Sequence, residues 1–414
     1  MKPEIIRITA PKGRITAHIN LPSSKSISNR LLIMNALSGN KIRIRNLSSS
    51  NDTTVLREAL QSGKKNINIG NAGTAMRFLT AYLAVNEGEY ILTGTERMCQ
   101  RPIGNLVHAL RQLGADIEYL QNEGFPPLKI RGKTLHKQEV QIDGSTSSQF
   151  ISALLMIAPI LPHGLTLKLT GKIISQPYIT LTLKLLKMAG IESVHSGNLI
   201  RIDPQPYQKT EITVEPDWSS ASYWFSIAAL SEECFITITD LPKISLQGDA
   251  VIARYFSTLG VKTEFTPEGA LLSRIPISCS RFEENFEDTP DMVQTFVVCL
   301  GLLGIPFRIS GAQSLRIKET DRIVALTAEL NKLGIVLTEP CNGVLEWKGE
   351  IAFALPTTLR FSSYNDHRMA MAFAPACFLR KPIEIEDPDV VEKSYPGFWE
   401  DLKKAGFGVQ INKK

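Results

Sequence analysis

The sequence predicts an α/β protein of two domains, assembled from six copies of one small unit. Three observations carry this. At 414 residues the chain is too long for a single core. Six apolar, helix-like runs recur at near-constant spacing. Between them lies a second series of amphipathic segments, each closed by glycine and most followed by a short alternating run.

The apolar series is SNRLLIMNALSG from Ser28, TAMRFLTAYLAV from Thr74, SSQFISALLMIA from Ser147, SSASYWFSIAAL from Ser219, MVQTFVVCLGLL from Met292 and HRMAMAFAPACF from His367. Successive starts are 46, 73, 72, 73 and 75 residues apart. The first interval is short by about one hairpin. The second series is DTTVLREALQSG (52–63), RPIGNLVHALRQLG (101–114), QPYITLTLKLLKMAG (176–190), GDAVIARYFSTLG (248–260), ETDRIVALTAELNKLG (319–334) and YPGFWEDLKKAG (395–406). Glycine at the end of each supplies the left-handed conformation past a helix C-terminus. Alternating segments such as ADIEYL (115–120), VKTEF (261–265) and GVLEW (343–347) read as strands.

Each unit is thus helix, strand, loop, helix, glycine, strand, strand, and six units divide into three plus three. The pattern changes near Leu21 and again near Val214–Pro216. The expected domains are 21–215, and 1–20 plus 216–414. The strand-like RITAHIN (14–20) goes with the second of these. The chain then crosses between domains twice, giving a two-strand hinge.

Composition narrows the class. A hydrophobic content of 43% and a charged content of 21% are ordinary for a globular chain. The formal charge of +5 is mild and unclustered, which argues against a nucleic-acid partner. The longest apolar run, Phe150 to Leu161, is too short to span a bilayer and reads as a buried helix. MKPEIIRITAPKGR has no signal-peptide core. The six cysteines (Cys99, Cys234, Cys279, Cys299, Cys341, Cys377) form no CxxC pair and lie mostly in apolar stretches. They are expected to be buried, reduced thiols of a cytoplasmic protein. No exposed amphipathic stripe argues for an oligomer, so a monomer is expected, with no membrane partner.

Chemistry concentrates at the helix starts, where unpaired backbone N–H groups and the helix dipole favour phosphate and carboxylate. A single Ser or Thr there is usually a cap; the company these residues keep makes the argument. PSSKSISNR places Lys25, Ser26 and Arg30 at one start, with no acid in the segment to pair with the cations. NAGTAMR places Asn71, Gly73, Thr74 and Arg77 at another, with Gly73 open to a ligand and Arg77 as a structural partner. RPIG supplies Arg101, and STSSQF supplies Ser147, Ser148 and Gln149. Farther on, DTPDM carries Asp288 and Asp291, RIKETDR carries Lys318, Glu319, Asp321 and Arg322, NDHR carries Asp366, His367 and Arg368, and VEKSYPG carries Lys393. Lys318 and Arg322 lie four apart, so they need acidic partners or an anionic ligand. His367, between Asp366 and Arg368, reads first as a structural hydrogen-bonding residue and second as a metal ligand or base. Motifs for a metal or a nucleotide cofactor are missing, and no cofactor is expected.

Taken in order, SKSISNR, NAGTAMR, RPIG, GSTSSQF, SQPY, SSAS, PDM, KETDR, NDHRMAM and EKSYP resemble the EPSP synthase (3-phosphoshikimate 1-carboxyvinyltransferase) family over nearly the whole chain. The resemblance implies two domains, each of three βαβαββ pseudo-repeats, in the inside-out α/β barrel of enolpyruvyl transferases, closing over a cleft. It implies transfer of the enolpyruvyl group of phosphoenolpyruvate to the 5-hydroxyl of shikimate 3-phosphate, in aromatic amino acid biosynthesis, with glyphosate as inhibitor.

By matched position, Lys25, Gly73, Arg101, Gln149, Arg322, Arg368 and Lys393 would bind phosphoenolpyruvate. Shikimate 3-phosphate would meet Lys25, Ser26, Arg30, Ser147, Ser148, Gln149, Ser175, Tyr178, Asp291, Ser314 and Lys318, largely on the side of domain 21–215. Asp291, with Lys318 beside it, would take the hydroxyl proton. Glu319 would move the proton at the methylene carbon, with Lys25 as the competing candidate. The chain departs from the family pattern at Ser23, Phe78 and Ser314, where relatives often carry Gly, Pro and Asn, and between Asp52 and Asn71, where a hairpin is missing. A related enzyme class, the UDP-N-acetylglucosamine enolpyruvyl transferases, shares the donor; its reactive cysteine has only a displaced counterpart in Cys99. A non-catalytic anion-binding scaffold is the remaining alternative.

Overall fold

In the computed structural model, residues 4–145, 147–356, 358–379 and 381–412 are described. The chain begins with β1 (Ile5–Thr9) and β2 (Ile15–Ile19), then α1 (Lys25–Leu37), β3 (Ile42–Arg45), α2 (Asn51–Gln61) and β4 (Asn66–Asn68). Next come α3 (Gly73–Val85), β5 (Gly88–Thr93), the one-turn α4 (Glu96–Cys99), α5 (Gly104–Gln112), β6 (Asp116–Tyr119) and β7 (Leu128–Gly132). Then follow β8 (Glu139–Asp143), α6 (Ser148–Ile157), β9 (Leu165–Thr170), α7 (Gln176–Met188), β10 (Val194–Ser196), β11 (Leu199–Ile202) and β12 (Thr210–Thr213).

The second half runs α8 (Trp218–Leu230), β13 (Cys234–Thr239), α9 (Ile252–Thr258), β14 (Val261–Thr266), β15 (Gly269–Arg274) and β16 (Phe282–Asn285). It continues with α10 (Val293–Leu303), β17 (Phe307–Ser310), α11 (Arg322–Asn331), β18 (Thr338–Cys341) and β19 (Val344–Trp347). It ends with β20 (Leu359–Phe361), α12 (His367–Phe373), β21 (Ile383–Glu386), α13 (Phe398–Lys404) and β22 (Gly408–Asn412).

The chain folds as two compact units, Met1–Pro22 with Glu215–Lys414, and Ser23–Val214. In each, one sheet pattern repeats: two parallel strands, then two more added antiparallel, usually as a hairpin but as β1 and β22 in the last sheet. It gives the orders β4-β5-β7-β6 and β8-β9-β11-β10 in the unit Ser23–Val214. In the other unit it gives β2-β13-β15-β14, β16-β17-β19-β18 and β20-β21-β1-β22. The sixth sheet has only β3 and β12, paired parallel. This is the physical form of the short first interval: the hairpin that would follow α2 is missing.

The two helix series bury themselves differently, as their patterns require. In α6, all ten residues but Gln149 are buried, and α12 is buried throughout. A helix apolar on every side must be interior. By contrast α2 buries only Asp52, Thr53 and Leu56, on one face. The helices α1, α3 and α6 pack on one another, as do α8, α10 and α12 through α10, so each unit has helices inside and sheets outside. The six glycines that close the second series (Gly63, Gly114, Gly190, Gly260, Gly334, Gly406) all have φ between 61° and 99°. That conformation is the reason glycine stands there.

The cysteines depart from expectation. All six thiols are free, but only Cys234, Cys299 and Cys377 are buried; Cys99 and Cys279 are intermediate and Cys341 is exposed. Cys341 ends β18, an edge strand among the described residues.

Candidate active site

In the unit Ser23–Val214 the motifs sit at helix starts. Ser24 caps α1, its Oγ accepting from Ile27 N at 3.5 Å, which leaves Lys25 and Ser26 without a capping task. Lys25 Nζ lies 3.1 Å from Asp52 Oδ2. Its acid thus comes from the next helix, not from its own segment. Arg30 is 2% exposed. Its Nε donates to Thr182 Oγ1 at 2.7 Å, Nη1 to Ser26 O at 2.9 Å, and Nη2 to Ser152 Oγ at 3.0 Å and Tyr178 O at 3.5 Å. The guanidinium carbon lies 5.3 Å from the centre of the Phe78 ring. These acceptors are neutral, and burial pulls the Arg30 pKa down to about 10. Among the described residues, four of the five guanidinium N–H groups are used and one on Nη1 remains.

Gly73 opens α3. A Cβ there would lie 2.7 Å from Arg101 Nη1 and 2.9 Å from Arg77 Nη1, so glycine makes room for two guanidinium groups. Arg77 donates to Gly73 O at 2.9 Å and Pro102 O at 3.4 Å, the structural part expected of it. Arg101 adds its charge to the positive end of the helix. At α6, Ser147 is the cap, accepting from Gln149 N at 3.3 Å, while Ser148 is the first helical residue. Gln149 Nε2 reaches Thr74 Oγ1 at 3.3 Å, joining the starts of α6 and α3. Ser175 precedes α7 in a left-handed conformation with φ 53°, and Tyr178 stands in the first turn.

The other unit holds a denser arrangement. Arg322, 1% exposed, faces three carboxylates. Its Nε is 2.7 Å from Asp366 Oδ2, Nη1 is 3.2 Å from Asp291 Oδ1, and Nη2 is 3.0 Å from Glu319 Oε2. Lys318 Nζ shares Asp291 Oδ1 at 3.3 Å, Arg368 Nη2 takes Asp291 Oδ2 at 2.8 Å, and Lys393 Nζ lies 3.4 Å from Glu319 Oε1. Six predicted residues from four segments therefore meet in one network: Asp291, Lys318, Glu319, Arg322, Arg368 and Lys393. Lys318 and Arg322 are reconciled by a shared acid. Burial alone would lower the Arg322 pKa, but Asp366, Glu319 and Asp291 together push it above the ordinary arginine range. Ser314 lies on the 3-10 turn Gln313–Ile317; among the described residues no side-chain bond joins it to this network.

Some participants were not assigned from sequence. Asp366 caps α12, accepting from Arg368 N at 2.9 Å, and holds Arg322 at the same time. Asp321, inside KETDR, caps α11 through Ile323 N and Val324 N and pairs with Arg316. Neighbouring His367 is buried, with Nδ1 3.5 Å from Asp366 Oδ1. Asp249 is 5% exposed and accepts from Ser219 Oγ at 2.5 Å. Burial pushes its carboxyl up to about 6, the Ser219 bond opposing and Asp291 adding to the rise. Burial also pushes the Tyr223 phenol up to about 12, against the pull of Arg368. Asp249 follows Gly248 in an ordinary QGD string, and only packing brings it near Asp291.

Residues 9–62 and 57–402 match the family described as EPSP synthase (3-phosphoshikimate 1-carboxyvinyltransferase). The chain belongs to the EPSP synthase family. It is 52% identical over 408 residues to the 3-phosphoshikimate 1-carboxyvinyltransferase of Bacteroides fragilis, covering 98% of this chain and 99% of that one. The Aliivibrio fischeri enzyme of the same name is 35% identical over 426 residues, covering 95% and 98%. Among solved structures, an EPSP synthase from Acinetobacter baumannii superposes with a TM-score of 0.74 at 20% identity over 99% of this chain and 100% of that one. The enolpyruvyl transferase NikO from Streptomyces tendae does so with 0.73 at 15% identity over all of both chains. These likenesses establish the two-domain α/β fold of enolpyruvyl transferases for this member of the EPSP synthase family.

Proposed function

We propose that the chain transfers the enolpyruvyl group of phosphoenolpyruvate to the 5-hydroxyl of shikimate 3-phosphate, releasing phosphate, as a step of aromatic amino acid biosynthesis. The observation that carries this reading is the six-residue ion network of Asp291, Lys318, Glu319, Arg322, Arg368 and Lys393 in a member of the EPSP synthase family. Phosphoenolpyruvate brings a phosphate and a carboxylate, and Lys25, Arg101, Arg322, Arg368 and Lys393 are the cations assigned to it, with Gln149 and the helix start at Gly73. Charge-assisted hydrogen bonds of about 1.5–3 kcal/mol each offset the desolvation of such a ligand. Shikimate 3-phosphate is assigned to Lys25, Ser26, Arg30, Ser147, Ser148, Gln149, Ser175, Tyr178, Asp291, Ser314 and Lys318. Glyphosate, an anion, would compete for the phosphoenolpyruvate cations.

The chemistry needs two proton movements. The 5-hydroxyl oxygen bonds to the alkene carbon that carries the phosphate, and its proton passes to Asp291, held in place by Lys318. The methylene carbon gains a proton from Glu319, or from Lys25, giving a tetrahedral ketal with a methyl group. The bond to the phosphate oxygen then breaks, the methyl carbon returns its proton to the same group, and the double bond reforms. The hydroxyl proton leaves with the phosphate. Cations around the site stabilise charge on the departing phosphate.

A phosphate-release assay with phosphoenolpyruvate tests the reading. Shikimate 3-phosphate as acceptor should give turnover, and UDP-N-acetylglucosamine should give none. Release with the second acceptor alone would reassign the substrate, and release with neither would make the protein a binding scaffold.

A further inference from the structure

Just inside its caps, Asp321 and Lys332, helix α11 carries two charges that run against its dipole. Its first residue is the cation Arg322 and its last turn holds the acid Glu329, whereas an acid at the start and a base at the end would suit the helix. Both are 1% exposed. They are seven positions apart, two helical turns, and so share one face. The segment 362–368 meets this face at both ends. Arg322 holds Asp366 through Oδ2 at 2.7 Å and Oδ1 at 3.3 Å. Glu329 Oε2 accepts from Ser362 N at 3.1 Å, and Oε1 accepts from the Tyr364 hydroxyl at 2.8 Å. Lys332 completes the carboxylate at 2.6 Å and donates to Arg360 O at 2.9 Å.

Between the two grips the backbone is in an unusual state. Tyr364 and Asn365 are consecutive left-handed residues, with φ 53° and 55°. Asn tolerates this region; Tyr does so rarely, and only when its surroundings over-determine it. Burial, reinforced by the Glu329 hydrogen bond and charge, pushes the Tyr364 phenol well above its ordinary range, so it stays a donor. This strained turn leads directly into Asp366, the cap of α12, and Arg368, whose Nη2 reaches Asp291 at 2.8 Å.

We infer that Glu329, through Ser362 and the Tyr364 hydroxyl, is a positioning residue that sets the strained 364–365 turn and thereby aims Arg368. The link to catalysis rests on the assignment of Arg368 to phosphoenolpyruvate; the clamp itself does not.

Two variants and two readouts separate these. Glu329→Gln keeps the shape but turns an amide toward one of its donors, and Tyr364→Phe removes only the hydroxyl. Each should increase amide hydrogen exchange across 362–368 at least tenfold, leaving the body of α10 unchanged. Each should raise KM for phosphoenolpyruvate at least fivefold with less than a twofold change in KM for shikimate 3-phosphate, and Glu329→Asp should recover part of both. Unchanged exchange in a folded Tyr364→Phe protein overturns the clamp. Raised exchange with both KM values unchanged overturns the aiming of Arg368. An Arg368→Lys variant with an unaltered KM for phosphoenolpyruvate would instead locate the failure in the assignment of Arg368, and the exchange result would still judge the clamp.

Discussion

Arg30 and Arg322 are buried to the same depth, 2% and 1% exposed, in opposite company. Around Arg30, in the unit Ser23–Val214, stand two hydroxyls, two carbonyls and the rings of Phe78 and Tyr178. Arg322, in the other unit, is surrounded by three carboxylates. Their pKa values accordingly move apart, down to about 10 for Arg30 and upward for Arg322. Neutral hydrogen bonds satisfy a guanidinium without cancelling its charge, so the first arrangement keeps a net pull on anions. Carboxylates cancel it, so the second is a pre-set ion lattice in which each member depends on the others.

Loss of the Arg322 charge should do the most damage. Arg322→Met leaves three carboxylates facing one another, and should cost about 3–5 kcal/mol of stability in denaturant titrations, with turnover lost. A loss below about 1 kcal/mol would mean that the lattice does not depend on this cation. Asp291→Ala removes the carboxylate that Lys318, Arg322 and Arg368 share, so it should cost some stability, less than Arg322→Met because Asp291 is itself part-exposed. Turnover should fall by roughly 10²–10⁴, and near-normal phosphate release would remove Asp291 from the chemistry.

A third effect is expected at Asp249. Its folded pKa, about 6, lies above the ordinary aspartate value of 3.8, so the folded state binds more protons than the unfolded state between these pH values. Stability from this group is therefore greatest below about pH 4 and is lost as pH rises to about 6, by on the order of 2 kcal/mol. Asp249→Asn should flatten that slope and make the protein more stable at pH 7, seen by melts at pH 4.5 and 7. A slope that survives the change would assign it to another group.

The smallest stability change sharpens the contrast. Arg30→Met should cost only about 1–2 kcal/mol, because Thr182 and Ser152 already share a 2.8 Å bond with each other. It should still weaken binding of shikimate 3-phosphate at least tenfold in calorimetry. A loss of stability equal to that of Arg322→Met would erase the distinction.

Much of this was legible in the sequence because repetition and helix punctuation are local properties. The six glycines, the buried apolar helices and the short first unit follow from spacing and composition alone. Six charged residues of the ion network were also named from their strings, since clustered charge at helix starts stands out. What sequence could not supply was pairing across segments. Lys25 finds Asp52, Arg322 finds Asp366, and Ser219 finds Asp249, at separations of 27, 44 and 30 residues. Glu329 was invisible for the same reason: alone it reads as a solvated helix acid, and its burial depends on a loop more than thirty residues away.

The first two strands are the earliest made and among the last to find partners. β2 needs β13, and β1 needs β21 and β22. On a ribosome the run 23–214 can fold while these strands wait, their unpaired edges open to wrong partners. The register offers a way round. Ile5 stands opposite Asn412 on neighbouring antiparallel strands, close enough for a short hairpin turn to join them. A circular permutant opened between Pro22 and Ser23 and closed there would make each unit in one uninterrupted stretch. It should refold with a higher yield at high protein concentration than the natural order of the chain.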